Sequence, residues 1–193
     1  VIEKFNNSLS WECKTIDDIQ ISLDRFITNK ESFNKAIKIF NEIRICDPAV
    51  GSGHFLVSAL NELLLIKYNL GLLIDEDARN LKDIKLELKN DEIVIRDSEN
   101  NIHNYKRPKH ENTDSHKIQR TIFFAKKEII ENNLFGVDIN PNSCEITKLR
   151  LWIELLKSSY YLENNGADKY IDLEILPNLE FKVLSANSLI ELE

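Results

Sequence analysis

Methionine is absent from the 193-residue sequence, and glycine, proline and cysteine are scarce, with five, four and three residues respectively. So little glycine and proline excludes collagen-like and low-complexity chains. The hydrophobic fraction of 42% and the charged fraction of 30% are typical of a globular protein and exclude a mostly disordered one. Because an open reading frame starts with methionine and this sequence starts with Val1, we expect the chain to be a piece of a longer protein.

The three cysteines, Cys13, Cys46 and Cys144, are odd in number and form no CxxC pair. A disulfide framework or a zinc site would need paired or closely spaced cysteines, so we predict neither. The four histidines also lack the spacing of metal ligands, and no metal is expected.

Positive charge is in deficit, since 25 Lys and Arg face 32 Asp and Glu and the formal net charge is −7. A module that grips duplex DNA by itself needs clustered cations, so this balance argues against such a module. The charge balance does not exclude a catalytic core whose DNA-binding parts lie elsewhere.

No segment of the sequence is typical of a membrane protein or a secreted protein. The most apolar stretch, residues 55–74, is interrupted by Asn61, Glu62 and Lys67 and is too polar for a membrane span. No signal-peptide pattern opens the sequence. We therefore expect a protein of the cytoplasm without a membrane association.

Residues 15–42 carry apolar side chains at mixed spacings of three and four, which is typical of amphipathic helices. A polar break at 28–31 divides this stretch into two helices. We therefore predict that residues 1–42 form an N-terminal helical segment.

A β-prone run at 43–46 is followed by a Gly-Ser-Gly turn at 51–53 and a helical apolar stripe from Phe55. Strand, glycine turn and helix in this order predict the opening of a βαβ unit. Residues 84–105 then change to the alternating pattern of a small antiparallel meander. With the polar stretch 106–117, expected to be an exposed loop, the meander is predicted to be an insertion at about 75–117.

Helix and strand patterns return after the insertion, with a helix at 118–132 and strands at 134–139 and 179–184. A helix that starts at Asn140 connects the two strands. Its Pro141 lies in the first turn, where proline is tolerated because main-chain N–H groups there have no partner within the helix. The predicted fold class is therefore α/β, with a core over residues 43–193.

The segment Asp47-Pro-Ala-Val-Gly-Ser-Gly53 has the composition of a ligand-binding turn. Gly51 and Gly53 allow a tight turn and a close approach of ligand to backbone. The following helix presents free N–H groups and a positive dipole end, and Asp47 could hold a cationic ligand group. Many α/β folds use such a turn only to change direction, so the turn alone does not identify a ligand.

A dinucleotide-binding unit expects a carboxylate about 20 residues beyond its glycines to hold ribose hydroxyls. Asp75 lies near that spacing, whereas Asp138 lies far beyond it, after the predicted insertion. We prefer Asp138 because a buried strand precedes it and a proline-started helix comes directly after it. Either acid could instead be a helix cap.

Three motifs in order give a more specific indication: DPAVGSGHFL (47–56), FGVDINP (135–141) and LSANSLI (184–190). They resemble the first three motifs of adenine-specific (N6) DNA methyltransferases of bacterial restriction–modification systems, above all the large single-chain enzymes with an insertion after the first motif. The resemblance implies a partial Rossmann-like, S-adenosylmethionine-dependent methyltransferase fold with a small antiparallel β insertion.

The resemblance also implies which residues contact S-adenosylmethionine. Asp47 would face the ammonium of the methionine moiety, Asp138 would accept hydrogen bonds from the ribose hydroxyls, and Ile139 would lie against the adenine ring. Asn187 stands where the family often has Asp, and its side-chain oxygen could accept from the adenine amino group. The full set of implied contacts is Asp47, Ala49, Gly51, Gly53, Phe55, Asp138, Ile139 and Asn187.

The sequence departs from the family after the third motif. The family binds its target adenine with an Asn/Asp-Pro-Pro-aromatic motif, and this sequence has no Pro-Pro pair. A Thr-Pro motif upstream of Asp47 is also missing. We therefore expect a cofactor-binding piece, cut before the catalytic motif, that carries no catalytic residue, is inactive alone and meets DNA only through regions outside this sequence.

Two other functions remain open from the sequence. One is an NAD-type oxidoreductase domain that uses Gly51, Gly53 and Asp75, and the other is a non-catalytic scaffold with a methyltransferase-like fold. The two enzyme hypotheses differ in the cofactor they bind, which a comparison of S-adenosylmethionine with NAD would distinguish.

Overall fold

The structure is a computed structural model that describes residues 1–74, 81, 84–107, 114–163, 170–173, 178–179 and 182–189. The described residues form a mixed α/β architecture. Its elements are α1 (Ile2–Leu9), α2 (Ile16–Phe26), α3 (Lys30–Asn41), β1 (Ile45–Asp47), α4 (His54–Asn69), β2 (Ile84–Lys89), β3 (Glu92–Asp97), α5 (Asp114–Asn132), β4 (Leu134–Asp138), α6 (Pro141–Leu156), β5 (Tyr161–Glu163), β6 (Tyr170–Leu173) and β7 (Val183–Ser185).

Three strands form a parallel sheet in the order β1-β4-β7. Asp47 in β1 pairs with Gly136 in β4, and Asp138 in β4 pairs with Ser185 in β7. Because the strands are parallel, the loops after β1, β4 and β7 meet at one edge, which we call the carboxyl edge. Ligands of open α/β sheets bind at such an edge.

The N-terminal part of the sheet is aligned by Asn133, the fully buried residue before β4. Its side-chain amide donates to the carbonyl oxygens of Phe40 at 3.0 Å and Ile43 at 2.9 Å. The N–H of Ile45 in turn donates to the carbonyl oxygen of Asn133 at 2.7 Å. These bonds lie at the N-terminal ends of β1 and β4 and align the two strands in register.

The hydrophobic core lies between the sheet and its helices. Leu56, Leu60 and Leu64 on α4 are fully buried, together with Phe123 on α5 and Phe40 on α3. Full burial of such side chains stabilises the fold by about 1.5–3 kcal/mol each. The N-terminal helices therefore share one core with the sheet.

The predicted break between two N-terminal helices is confirmed. Thr15 caps α2 in a reciprocal capping box with Asp18, and Asn29 caps α3 in another with Ser32. Each cap pairs main-chain N–H groups that the first helical turn leaves without partners. No helix in the described part of the chain is long and apolar enough to cross a membrane.

The predicted antiparallel meander is a two-stranded hairpin, with β2 and β3 in register over six residue pairs. Asn90 and Asp91 form its turn with positive φ angles of 51° and 62°, a conformation that these two residue types tolerate. The predicted extension of the meander to residue 105 is wrong, since after β3 only an isolated bridge between Ile102 and Arg96 continues the pairing among the described residues.

The expected exposed loop at 106–117 is wrong at its end. Helix α5 begins at Asp114, and His116 is buried, with its Nδ1 bonded to the Tyr105 hydroxyl at 2.9 Å. Hydrophobic periodicity did not predict this first turn of α5, because its residues are polar. The burial of His116 is instead accompanied by its hydrogen bond to Tyr105. Residues 108–113 lie outside the described part.

The chain after β4 differs from the prediction in two more places. The last strand begins at Val183 rather than at residue 179, and the antiparallel pair β5–β6 was not predicted at all. Asp75, the alternative ribose ligand, lies outside the described residues.

Candidate functional site

Main-chain hydrogen bonds join the three loops of the carboxyl edge. The N–H of Val50 donates to the carbonyl oxygen of Val137 at 2.9 Å, and the N–H of Ala186 donates to that of Asp138 at 3.0 Å. The first, second and third motifs are therefore brought to one place. These main-chain bonds fix the backbone that positions the side chains of this edge.

The Asp138 carboxylate is the most heavily bonded group of the edge. One of its oxygens accepts the N–H of Gly51 and the other accepts the N–H of Asn140, both at 2.8 Å. The bond from Asn140, followed by that from Gly51, holds the pKa of Asp138 below its ordinary value. Each carboxylate oxygen has two lone pairs, so the ionised group can still accept hydroxyl donors from a ligand.

The glycine turn contacts Thr147, a buried threonine of α6. Gly51 and Gly53 have positive φ angles of 54° and 80°, and Gly53 is the N-cap of α4. The Thr147 hydroxyl donates to the carbonyl oxygen of Gly51 at 3.1 Å, and a Cβ at Gly53 would lie 2.8 Å from that hydroxyl. The turn therefore fits against α6 only because Gly53 has no side chain.

A third glycine lets the turn approach the sheet. A Cβ on Gly136 in β4 would lie 2.9 Å from the side chain of Val50 and 3.1 Å from that of Leu56. The first motif thus packs over the backbone of the second strand. Neither Gly136 nor Thr147 was predicted from the sequence, although Gly136 is part of the FGVDINP motif and a threonine within an apolar helix could have been singled out.

Asp47 and Ala49 shape the start of the turn. An Asp47 carboxylate oxygen accepts the N–H of Ala49 at 3.1 Å, while the Asp47 side chain remains half-buried and reachable from solvent. Ala49 is exposed beside it. The turn leads into the N-terminus of α4, where N–H groups and the helix dipole favour a negative or electron-rich ligand group.

Phe55, Ile139 and Asn187 stand at the surface of the edge. Phe55 and Ile139 are 54% and 73% exposed, which is unusual for large apolar side chains. The side-chain oxygen of Asn187 accepts the N–H of Leu189 at 3.0 Å, which fixes the loop after β7. Both apolar groups are thus available to a ligand ring. The Asn187 side-chain oxygen already uses one of its two lone pairs for Leu189.

The arrangement combines a fixed carboxylate, a second carboxylate, a glycine turn and two exposed apolar side chains. Such a set can hold a ligand with vicinal hydroxyls, a cationic group and a flat ring. Among the described residues, no group of three His, Cys, Asp or Glu side chains is placed to hold a metal ion.

The Gly53→Ala substitution tests the fit between the turn and α6. We expect it to lower the free energy of unfolding by about 2–5 kcal/mol, because it adds left-handed backbone strain and overpacking against Thr147. Gly51→Ala is the matched control, since its Cβ meets only a carbonyl oxygen at 3.9 Å, and it should cost about 1–2 kcal/mol. Urea denaturation measures both. Equal losses, or no partial recovery when Thr147→Ala is added to Gly53→Ala, would contradict this packing.

The bonds to Asp138 predict a pH-dependent contribution to stability. Because the folded-state pKa is lowered, the contribution is fully present above the unfolded-state pKa of about 3.9 and is lost as the pH falls through the folded-state pKa. The stability difference between the unsubstituted chain and Asp138→Asn should therefore be largest above about pH 5 and should shrink toward pH 3. Urea denaturation across this range measures it, and a difference that does not vary with pH would refute the role of the charge.

Comparison with known proteins gives two matches. The family described as "MmeI, DNA-methyltransferase domain" matches residues 23–189. A protein of Methanocaldococcus jannaschii, named "Putative type II restriction enzyme and methyltransferase", is 32% identical over 197 residues. That alignment covers 98% of this chain and 13% of the relative, so the chain spans about an eighth of the length of the relative. No solved structure matches the chain.

The family match includes all three loops of the carboxyl edge together with α6. It extends over most of the sequence, and the archaeal relative aligns with nearly all of it. The chain therefore belongs to the family of MmeI-type DNA methyltransferase domains.

Proposed function

We propose that this chain binds S-adenosylmethionine at the carboxyl edge and is the cofactor-binding part of a restriction–modification enzyme that methylates adenine N6 in DNA. The observation that carries the proposal is the Asp138 carboxylate, which the amides of Gly51 and Asn140 hold in its ionised form beside the glycine turn. An ionised, fixed carboxylate at the end of a central parallel strand suits a ribose diol.

The ribose, the adenine and the methionine ammonium of the cofactor would each have a counterpart at the edge. Asp138 accepts the ribose hydroxyls, and the exposed side chain of Ile139 contacts the adenine ring. Asp47 faces the methionine ammonium, directly or through water. Asn187 accepts from the adenine amino group with the lone pair that Leu189 leaves available.

Further residues would shape the cofactor site. Gly51, whose Cβ would meet only a carbonyl oxygen at 3.9 Å, and the small Ala49 leave room for the ligand at the turn. Gly53 would contact the ligand through its backbone, since its Cβ position faces Thr147. Phe55 supplies an exposed apolar surface near the methionine arm. No catalytic residue is proposed in this chain, because the proposed chemistry is methyl transfer to a base held by the Asn/Asp-Pro-Pro-aromatic motif, which the sequence lacks.

The proposed organisation is Rossmann-like, with α4 after β1 and α6 after β4 as the helices that flank a parallel sheet. Residues 43–193 would be the cofactor-binding core, 1–42 an N-terminal helical segment and about 75–117 an insertion. DNA would be contacted through other regions of a longer, cytoplasmic protein, in keeping with the net charge of −7.

Calorimetric titration with S-adenosylmethionine tests the cofactor assignment. We expect Asp138→Ala to weaken binding at least tenfold, since a hydrogen bond to a charged group contributes about 1.5–3 kcal/mol. Asp97→Ala is the matched control, because Asp97 also accepts main-chain amides but lies on the hairpin, and binding should not change. Unchanged affinity in Asp138→Ala would overturn the assignment, and tighter binding of NAD than of S-adenosylmethionine would favour the oxidoreductase.

The absence of a target-base motif predicts that the 193-residue chain alone transfers no methyl group. Tritium transfer from labelled S-adenosylmethionine to DNA should stay at background even at cofactor concentrations that saturate the site. Measurable incorporation into DNA that the Asp138→Ala variant loses would refute this expectation.

A further inference from the structure

Helix α6 carries a row of apolar side chains on the face that points away from the sheet. Its members are each about half exposed, at 47%, 52%, 52% and 46% for Ile146, Leu149, Ile153 and Leu156. They follow one another at spacings of three, four and three residues, which places them on one face of the helix. We call these four residues the outer stripe.

The opposite face of α6 packs into the fold. Cys144, Thr147, Leu151 and Leu155 on that face are buried. At 3.6 residues per turn, the middle of the outer stripe lies about 180° around the helix from Leu151, so the stripe takes no part in the core. A helix that packs by one face normally presents polar side chains on the other, and apolar side chains grouped there indicate an interaction surface.

The outer stripe has the spacing of a coiled-coil seam. Ile146 and Ile153 take position a of a heptad, and Leu149 and Leu156 take position d. In parallel coiled coils, isoleucine at a with leucine at d favours two strands. Because the rest of the fold already holds α6 as a helix, pairing along the stripe does not incur the cost of forming one.

The two flanks of the outer stripe carry opposite charges. Glu145 lies at position g on one flank, and Arg150 lies at position e on the other. In a parallel pair, residue g of one helix faces the residue five positions further along the other helix, so Glu145 faces Arg150 of a second copy. Glu145 also bonds to Lys148 of its own helix at 2.9 Å, and its two carboxylate oxygens can serve both cations. An antiparallel pair places e beside e and g beside g and lacks this contact.

We propose that the outer stripe is the contact between two copies of this chain, which pair along α6 as a parallel two-stranded seam about a two-fold axis. The contact is isologous, since both copies use the same stripe. Helix α6 starts directly after the carboxyl edge, so the two carboxyl edges lie at the same end of the pair. The sixteen residues of α6 span about 24 Å, so the interface is small and the association depends on concentration.

Analytical ultracentrifugation of the chain over a concentration series up to about 0.5 mM tests the pairing. We expect a reversible monomer–dimer equilibrium. Ile153→Glu should weaken dimerisation about tenfold or more, because it sets two like charges against each other in the seam. Ile21→Glu is the matched control, since Ile21 is also 52% exposed but lies on α2, and it should leave the equilibrium unchanged.

Exchange of the flanking charges tests the orientation of the two helices. Arg150→Glu alone sets two acids against each other and Glu145→Arg alone sets two arginines together, so each variant should dimerise several-fold more weakly. An equimolar mixture of the two variants restores both opposite-charge contacts and should dimerise about as tightly as the unsubstituted chain. This recovery would also show that both variants are folded.

A chain that stays monomeric over the whole concentration series would overturn the proposal and assign the outer stripe to a different partner. Dimerisation that Ile153→Glu leaves unchanged would place the contact elsewhere and equally overturn it. Failure of the mixed variants to recover the affinity of the unsubstituted chain would contradict the parallel pairing of α6.

Discussion

The hydrogen bond from the Gly51 amide to the Asp138 carboxylate is the contact on which the carboxyl edge depends. It joins the turn after β1 to the end of β4, and the Asn140 amide fixes the other carboxylate oxygen as α6 begins. Thr147, further along α6, then holds the carbonyl of the same glycine. A single acidic side chain thereby fixes two loops and one helix before any ligand arrives.

Close packing at glycine makes that contact possible. Without Cβ atoms, Gly53 meets α6 and Gly136 meets Val50 at distances that no other residue would allow. The absence of a side chain thus lets the turn pack on its own sheet and against α6. The proposed approach of a cofactor to the turn would depend on the same property, so a glycine in these motifs does not by itself distinguish packing from binding.

Sequence patterns predicted the features that depend on local periodicity and turn chemistry. The strand predicted at 134–139, the proline-started α6 and the antiparallel pairing within 84–105 are all visible in residue spacing, and the structure ends the strand one residue earlier, at Asp138. Contacts across the fold were not visible, because Thr147 is one threonine in an apolar helix and His116 lies in a polar run. Their positions depend on long-range hydrogen bonds to Gly51 and Tyr105, which no local pattern reports.

We propose that the loops after β1, β4 and β7 form one binding site for S-adenosylmethionine. An amide chemical-shift titration of the ¹⁵N-labelled chain with this cofactor tests the proposal. We expect the largest shifts together at Gly51, Asn140 and Ala186, one amide from each loop, with a common saturation curve. Shifts confined to one loop, or centred away from the carboxyl edge, would contradict the proposal.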